Sequence, residues 1–267
     1  MSPTTPFRIP SRLLLLACLC ACAAVARTQD AEMAASEPAV QSPGEAPADA
    51  VLEPFLATYD AWYRGRQAGD ASLQVSEAGD GRWRVDLSIR GARGLAGLAR
   101  LNIEQSTVFE DDAGRYRPLS QSTVRKAMLL DKRVTGTYDW GTMQAHWDGD
   151  LKKDRRRPLA LQPGDMSALL INLAVIRDAR AGAVLHYRFV DGGRVREHVY
   201  HVAAQPETLA VADMSYDALR VARTDHDGDQ TVLWVAGGVP TPIRILQRKD
   251  GRDEIDLRLV EYRGARG

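Results

Sequence analysis

Apolar and polar residues alternate through most of the chain after residue 54, and this period of two constrains the fold more than any other feature. The run from Arg82 to Arg90 reads RWRVDLSIR, in which every second side chain is apolar. Successive side chains of a strand lie on opposite faces of a sheet, so such runs predict strands with one buried face. The pattern predicts strands over 57–64, 72–76, 82–90, 101–110, 117–125, 132–140, 143–148, 184–190, 195–203, 216–224, 230–236, 241–249 and 254–262.

Two short segments predict tight turns between neighbouring strands. Asp191-Gly192-Gly193-Arg194 and Asp250-Gly251 supply glycines, which accept the positive φ that a two-residue hairpin turn requires. Antiparallel pairing through these turns predicts two cross-strand pairs of opposite charge, Arg188 with Glu197 and Arg248 with Asp253. Such pairs favour one register over its neighbours.

One segment, 165–178, interrupts the strand pattern with helical spacing. Its apolar residues recur three or four positions apart, at Met166, Leu169, Leu170, Leu173 and Ile176. Asp165 is predicted as the N-cap, and Gly182 lies just past the predicted end. A second, shorter helix is expected over 94–100.

These elements predict an all-β or β-rich fold. A dozen antiparallel strands are incompatible with a doubly wound parallel sheet, and they favour a long sheet that curls to bury one face. The apolar stripe of the helix over 165–178 needs a partner. We therefore expect a curved antiparallel sheet that forms an incomplete barrel, with this one amphipathic helix inserted.

The first 26 residues have the features of a secretory signal peptide. Arg8 and Arg12 precede an apolar stretch of 14 residues that ends in Ala24-Val25-Ala26. This stretch is shorter than the roughly 20 residues that a membrane-spanning helix needs. We expect cleavage after Ala26, a periplasmic location and no transmembrane helix in the mature chain.

A second processing outcome stays open, because all three cysteines lie in the leader. Leu19-Cys20-Ala21-Cys22 satisfies a bacterial lipobox loosely, and Cys22 would then be the acylated first residue of a membrane-anchored lipoprotein. Both outcomes leave the folded domain free of cysteine, so its core must stabilise it without disulfides.

Residues 27–54 are rich in Ala, Pro and Glu, contain no aromatic residue and carry a net charge of −5. Such a composition predicts a disordered tether, since it cannot bury enough apolar surface to order itself. The remaining domain, 55–263, is β-rich, and the chain after residue 54 carries a net charge of +3. This excess is too small to suggest a nucleic-acid partner.

Five blocks in order together resemble a known bacterial envelope family. They are Asp165–Leu170, Tyr187–Val195, Tyr216–Val221, Val232–Val235 and Pro240–Ile245. In that spacing they are similar to the family catalogued as domain of unknown function 3108, over about 55–262. The resemblance implies no catalytic residues. It also implies a layout analogous to the half-barrel proteins that handle lipoproteins in the periplasm, although a fold does not establish a function.

The histidines and acidic residues do not form a recognisable metal or catalytic motif. His198 and His201 are three apart on a predicted strand, so they point to opposite faces and cannot share a metal. The segment 225–229, DHDGD, lacks the glycine and glutamate positions of a calcium loop, and an acidic hairpin turn explains it better. We therefore predict a protein without enzymatic activity, cofactor or bound metal.

The predicted barrel suggests a ligand site on its concave face. If the barrel is only partly closed, aromatic and helix side chains line its cavity, and we predict as ligand-binding residues Trp62, Trp140, Trp147, Leu169, Leu170 and Leu173. Apolar side chains of this kind bind a lipid-like or acylated partner by burying its surface.

The densest charge run offers a second contact site. The segment KKDRRR contains Lys152, Lys153, Arg155, Arg156 and Arg157, and most such runs are solvated loops. The functional interpretation is contact with an anionic envelope surface.

Three hypotheses follow for function. The first is a non-enzymatic periplasmic binding module for a hydrophobic ligand. The second is a structural or protein-interaction component of the envelope with a filled core. The third, a hydrolase of envelope polymers, requires carboxylates or histidines clustered in a cleft.

Overall fold

The computed structural model describes residues 52–91, 102–127, 130–225 and 228–264. These residues form one sheet, one α-helix, α1 (Ala168–Asp178), and one short 3-10 helix (Lys153–Arg156). The strands are β1 (Phe55–Tyr63), β2 (Arg66–Gly79), β3 (Arg82–Gly91), β4 (Asn102–Asp112), β5 (Arg115–Ala127), β6 (Leu130–Asp139), β7 (Gln144–Gly149), β8 (Leu159–Ala160), β9 (Asp165–Met166), β10 (Val184–Asp191), β11 (Arg194–Val202), β12 (Glu207–Val211), β13 (Met214–Thr224), β14 (Gln230–Ala236), β15 (Arg244–Lys249) and β16 (Arg252–Gly264).

Apart from the parallel pairing of β9 with β10, the sheet is antiparallel, and its two halves are joined by pairing of β1 with β16. From β1, the first half runs through consecutive hairpins to β8. From β16, the second half runs through β15, β14, β13, β11 and β10 to β9, and β12 pairs with β13 outside this path. The edge strands β8 and β9 have two residues each, and only residues 161–164 separate them along the chain.

Side-chain contacts between distant strands show that the sheet curls. The Tyr138 hydroxyl on β6 donates a hydrogen bond of 2.6 Å to the carbonyl of Val190 on β10. The side-chain amide of Gln121 on β5 donates to the carboxylate of Asp191, at the end of β10, at 2.5 Å. Because β5 and β6 belong to one half of the sheet order and β10 to the other, these contacts close an incomplete barrel.

Helix α1 fills the concave side of this curled sheet. It packs against β3, β4, β5 and β10, and its residues Leu170, Ala174 and Val175 are fully buried. Alternate residues of β1, from Phe55 to Ala61, are buried in the same core as the helix. The buried residues of β1, which follow a period of two, and those of α1, which follow helical spacing, therefore belong to one main core.

A second, smaller core lies where β6 and β7 approach β10. It contains Tyr138, Ala145, Trp147, Leu161 and Val190. The Trp147 indole lies directly over Gly136 of the neighbouring strand, and a Cβ at Gly136 would lie 2.4 Å from the indole Nε1. The absence of a side chain at position 136 thus makes room for the largest buried side chain of this core.

The structure confirms the predicted fold class, an incomplete antiparallel barrel with an inserted helix. It confirms both predicted hairpin registers, with Arg188 opposite Glu197 and Arg248 opposite Asp253. The pattern did not predict β8, β9 or β12, because strands of two to five residues are too short for a periodic signal.

The predicted N-cap of the helix is wrong. Helix α1 begins at Ala168 rather than near residue 165, and Ser167 is its N-cap, with its hydroxyl accepting a hydrogen bond from the Leu170 amide. Asp165 instead belongs to β9, where it pairs with Arg188. Tertiary pairing of the Asp165 backbone and carboxylate outweighs its local preference for a cap position.

Several predictions concern residues outside the described ranges. These are the signal peptide with its cleavage site at Ala26, the acylation site Cys22, nearly all of the tether, and the short helix over 94–100. The helices that the structure describes include none with the length and apolar character needed to cross a membrane.

Candidate functional site

A buried polar cluster crosses the concave side between the two apolar cores, and we call it the polar seam. It consists of Thr107, Gln121, Tyr138, Asp165, Ser167, Arg188 and Asp191. Buried polar groups destabilise a protein unless they are hydrogen-bonded, and the residues of the polar seam are hydrogen-bonded to one another and to the backbone.

The strongest charge pair of the polar seam joins β9 to β10. Nη1 of Arg188 lies 2.5 and 2.6 Å from the two carboxylate oxygens of Asp165, whose side chain is 0% exposed. The carboxylate also accepts a hydrogen bond of 2.8 Å from the Gln162 backbone amide. Arg188 is thus directed towards Asp165, while its predicted cross-strand partner Glu197 is more distant, at 3.9 Å.

The N-terminus of helix α1 supplies the next contacts. The Ser167 hydroxyl lies 2.9 Å from the Thr107 hydroxyl on β4, which ties the start of the helix to the sheet. Helix α1 has no acidic residue in its first turn. Asp191 compensates the partial positive charge at the N-terminus of α1, because its carboxylate accepts hydrogen bonds from the backbone amides of Ala168 and Gly192.

Burial raises the pKa of the Asp191 carboxyl above its usual value, and hydrogen bonds from Gln121 and from the Ala168 and Gly192 amides oppose this rise. Gln121 also connects Asp191 to Tyr138, because its side-chain oxygen lies 2.7 Å from the Tyr138 hydroxyl. Burial raises the pKa of Tyr138 well above its usual value, and the nearby charges of Asp191 and Asp165 add to that rise. Tyr138 is therefore a neutral donor.

A small pocket adjoins the polar seam. Its walls include Gln105, Thr107, Gln121, Thr123 and Asp191, and its free space of about 10 Å³ is enough for roughly one water molecule. Drug-sized ligands need several hundred Å³. This pocket therefore fits a solvent molecule and excludes an acyl chain.

The chemistry of the polar seam is that of a structural network. Its hydroxyls, carboxylates and arginine already contact protein groups, and no histidine adjoins Ser167 or Thr107 in the contacts of the described residues. A nucleophilic hydroxyl needs a neighbouring base to activate it. Among the described residues, no three His, Cys, Asp or Glu side chains are grouped as metal ligands.

Two of the sequence blocks that carried the family resemblance meet in the polar seam. Asp165–Leu170 supplies Asp165 and Ser167, and Tyr187–Val195 supplies Arg188 and Asp191. The model of the family described as "Protein of unknown function (DUF3108)" matches residues 58–258. The chain belongs to this family.

A comparison with solved structures supports the fold described above for this DUF3108 protein. It resembles the crystal structure of a beta-barrel-like protein of domain of unknown function DUF1849 from Brucella abortus, with a TM-score of 0.52 and 14% sequence identity. The match covers 81% of this chain and 99% of the other chain. The search of curated proteins gave no match. At this identity the similarity supports the fold alone.

The predicted ligand-binding leucines of the DUF3108 domain lie in the main core. Leu169 and Leu173 are each 4% exposed and Leu170 is 0% exposed, so other side chains already cover them.

The three predicted tryptophans occupy different surroundings. Trp147 is buried in the second core, and Trp140 lies at its margin with its indole N–H donating to the Pro118 carbonyl at 2.7 Å. Trp62 belongs to neither core, and the Arg258 guanidinium stacks 4.4 Å from its ring centre. The structure therefore does not bring the six predicted residues together around one cavity.

The predicted basic residues are on the surface of the DUF3108 domain. Lys152, Lys153, Arg156 and Arg157 are exposed and Arg155 is half-buried, in and beside the 3-10 helix.

Sequence reasoning missed Asp191, Gln121, Tyr138 and Thr107. In the sequence Asp191 has only the features of a turn residue, and the other three look like ordinary members of alternating strands. Their roles depend on the curl of the sheet, for which a single sequence provides no local signal.

Proposed function

We propose that this DUF3108 protein is a non-catalytic interaction or structural component of the bacterial envelope, exported by its leader, with a filled core and a partner bound at its surface. One observation carries the proposal. Leu170 and Trp147, which were expected to line a cavity, are 0% and 1% exposed within two packed cores.

The polar seam supports the same proposal. It joins β4, β5 and β6 to β9, β10 and the start of α1 through hydrogen bonds that fix one closed arrangement. A barrel that accepts a large ligand between its halves would have to break several of these bonds. Breaking some of the hydrogen bonds of a buried network leaves unpaired polar groups, which costs free energy. A partner at the surface is therefore favoured over a ligand inside the barrel.

The proposal is tested by native mass spectrometry of the mature protein purified from bacterial envelopes. We expect the mass of the polypeptide alone, and no lipid in an organic extract of the sample. A stoichiometric lipid that is lost in a Leu170→Trp variant would contradict the filled core and favour the hydrophobic-ligand hypothesis.

The same measurement tests the export hypothesis. We expect an intact mass that corresponds to a first residue at Arg27. A mass that corresponds to an acylated Cys22 would show instead that the protein is a membrane-anchored lipoprotein.

A further inference from the structure

Two segments that are distant in the sequence form one basic surface. Residues 152–157 lie beside the turn between β10 and β11, where a Cβ at Gly193 would lie 2.0 Å from the Arg155 carbonyl oxygen. This close backbone approach requires glycine at position 193, whose φ is +69°. We call the result the basic surface: Lys152, Lys153, Arg155, Arg156, Arg157, Arg194 and Arg196.

The backbone around the 3-10 helix is held in place by specific contacts. The Arg156 guanidinium donates to the Gly149 carbonyl at 2.7 Å. The Asp150 backbone amide donates to the Arg133 carbonyl at 2.8 Å, and the Asp150 carboxylate accepts from the Arg133 amide at 2.7 Å. The cations of residues 152–157 therefore extend from a segment that is fixed to β6 and β7.

Charge on the basic surface is not neutralised within the described part of the chain. The segments 152–157 and 194–196 contain seven cations and one acidic residue, Asp154. None of these cations has a salt bridge to a described residue, unlike Arg188, Arg244 and Arg258, which are paired with carboxylates. Other exposed arginines of the sheet, such as Arg66 and Arg252, also lack a salt bridge to a described residue, so the basic surface is distinguished by the grouping of its cations.

The cations also affect each other. Arg194 has a lowered pKa, first because of partial desolvation and then because of the positive charges of Arg155 and Arg196, while the negative charge of Asp154 opposes this shift. An anion bound near several positive charges reduces the repulsion among them.

The shape of the basic surface indicates the kind of partner. Six of its seven cations are exposed, and they project from a hairpin turn and a short helix rather than into a cleft. A protruding group of separate cations suits an extended array of phosphates better than a single small anion, which needs a concave site. Each basic residue near a negatively charged leaflet strengthens binding about fivefold.

We propose that the basic surface docks the protein onto the phosphate groups of an anionic lipid bilayer. This inference rests on the proposed function, because it names the surface through which a non-catalytic envelope protein would act.

The test compares two charge-reversal variants that change the same residue types. The first is Lys152→Glu, Arg157→Glu and Arg194→Glu on the basic surface. The matched control is Lys249→Glu, Arg66→Glu and Arg252→Glu at other turns of the sheet, where all three side chains are also exposed. Both variants change the net charge equally, and equal thermal midpoints to the wild type would show that both fold.

Binding is measured by co-sedimentation of the purified, non-acylated mature protein, beginning at Arg27, with vesicles of phosphatidylethanolamine and phosphatidylglycerol and with vesicles of phosphatidylcholine alone. We expect binding to the anionic vesicles only, a roughly 100-fold loss in the basic-surface variant and a much smaller loss in the control. Raising the salt to 0.5 M should abolish binding of the wild type.

Three results would overturn the inference: no binding to anionic vesicles, equal binding to neutral vesicles, or equal losses in the two variants. A further result separates the inference from the function on which it rests. If crosslinking in cells captures an acidic protein that the basic-surface variant loses, while vesicles do not bind, the membrane inference fails and the proposed function stands.

Discussion

Arg188 and Asp165 form a buried ion pair in which one guanidinium nitrogen lies 2.5 and 2.6 Å from the two carboxylate oxygens. The pair lies at the parallel contact of β9 and β10, where these two residues are in register. It therefore holds an edge strand of only two residues against the sheet, immediately before the start of helix α1.

Removing the cation of this pair should be strongly destabilising. We expect Arg188→Met to lower the free energy of unfolding by about 3–5 kcal/mol, because it leaves the Asp165 carboxylate buried and uncompensated. The double variant Arg188→Met and Asp165→Asn should lose less unfolding free energy than Arg188→Met alone, since no unpaired charge remains. Urea unfolding followed by circular dichroism measures both.

The control for this prediction is an exposed arginine pair. Arg263 contacts Glu261, and their side chains are 73% and 50% exposed. Arg263→Met should change the stability by less than about 0.5 kcal/mol. Similar losses for Arg188→Met and Arg263→Met would contradict a structural role for the buried pair.

Most of the barrel was predictable because its strands are long and have one buried face. In β3, for example, Val85 and Ile89 are buried while Arg84 and Arg90 are exposed, and a period of two reports such a strand directly. The same local rule failed at Asp165. Its position before an apolar run predicts a cap, but the residue that pairs with it, Arg188, is 23 positions away.

Tyr138 connects the two halves of the barrel through its hydroxyl, which contacts the Val190 carbonyl and the Gln121 side chain. Tyr138→Phe should lower the free energy of unfolding by about 1–3 kcal/mol, because the Val190 carbonyl and the Gln121 side-chain oxygen lose the one hydroxyl proton that they share, without any change of shape. Chemical denaturation measures the loss.

Tyr116 supplies a matched control for this variant. It is also buried, at 8% exposure, but its hydroxyl makes no hydrogen bond with the part of the chain that the structure describes. Tyr116→Phe should therefore leave the unfolding midpoint nearly unchanged. An equal shift for both variants would mean that the hydroxyl of Tyr138 does not stabilise the closed barrel.

The second core depends on the lack of a side chain at Gly136. Gly136→Ala places a methyl group 2.4 Å from Nε1 of Trp147, so the indole has to move and the core becomes overpacked. We expect a loss of about 1–3 kcal/mol. Gly237→Ala is the control, since its Cβ would meet nothing within 4 Å. Thermal unfolding of the two alanine variants should show a lower midpoint for Gly136→Ala only.

The candidate site was less predictable than the fold, for a physical reason. Lys152 to Arg157 are obvious as a charge run, but Arg194 and Arg196 join them only because the sheet curls and Gly193 admits the Arg155 backbone. Likewise, Leu170 has the same helical spacing whether it faces a cavity or a packed core. The local period of the sequence indicates which face of a helix or strand is apolar. What packs against that face depends on how the sheet curls, which involves residues distant in the sequence.

His198 makes the stability of the domain dependent on pH. It is 7% exposed, stacks on Phe189 at 4.6 Å, and neither ring nitrogen has a hydrogen-bond partner in the described structure. Burial, together with the smaller effect of the positive charges of Arg223 and Arg196, lowers its pKa to about 4. The imidazole is therefore neutral in the folded protein at neutral pH.

The sign of the effect follows from this depressed pKa. The unfolded chain takes up a proton at His198 below pH 6.5, the ordinary value for histidine, while the folded protein does so only near pH 4. Stability from this residue is therefore fully present above pH 6.5 and is lost as the pH falls towards 4. Between pH 7.5 and 5 the wild type should lose about 1–2 kcal/mol more than His198→Phe, in which the titrating ring is absent.

Urea unfolding at pH 7.5 and pH 5 measures this difference. At pH 7.5 His198→Phe should be at least as stable as the wild type, because phenylalanine keeps the stack on Phe189 and removes two unpartnered nitrogens. His201→Phe on the same strand is the control, because His201 is exposed and the variant retains His198. If His198→Phe loses as much stability on acidification as the wild type and His201→Phe do, protonation of the buried imidazole is not the cause of the acid sensitivity.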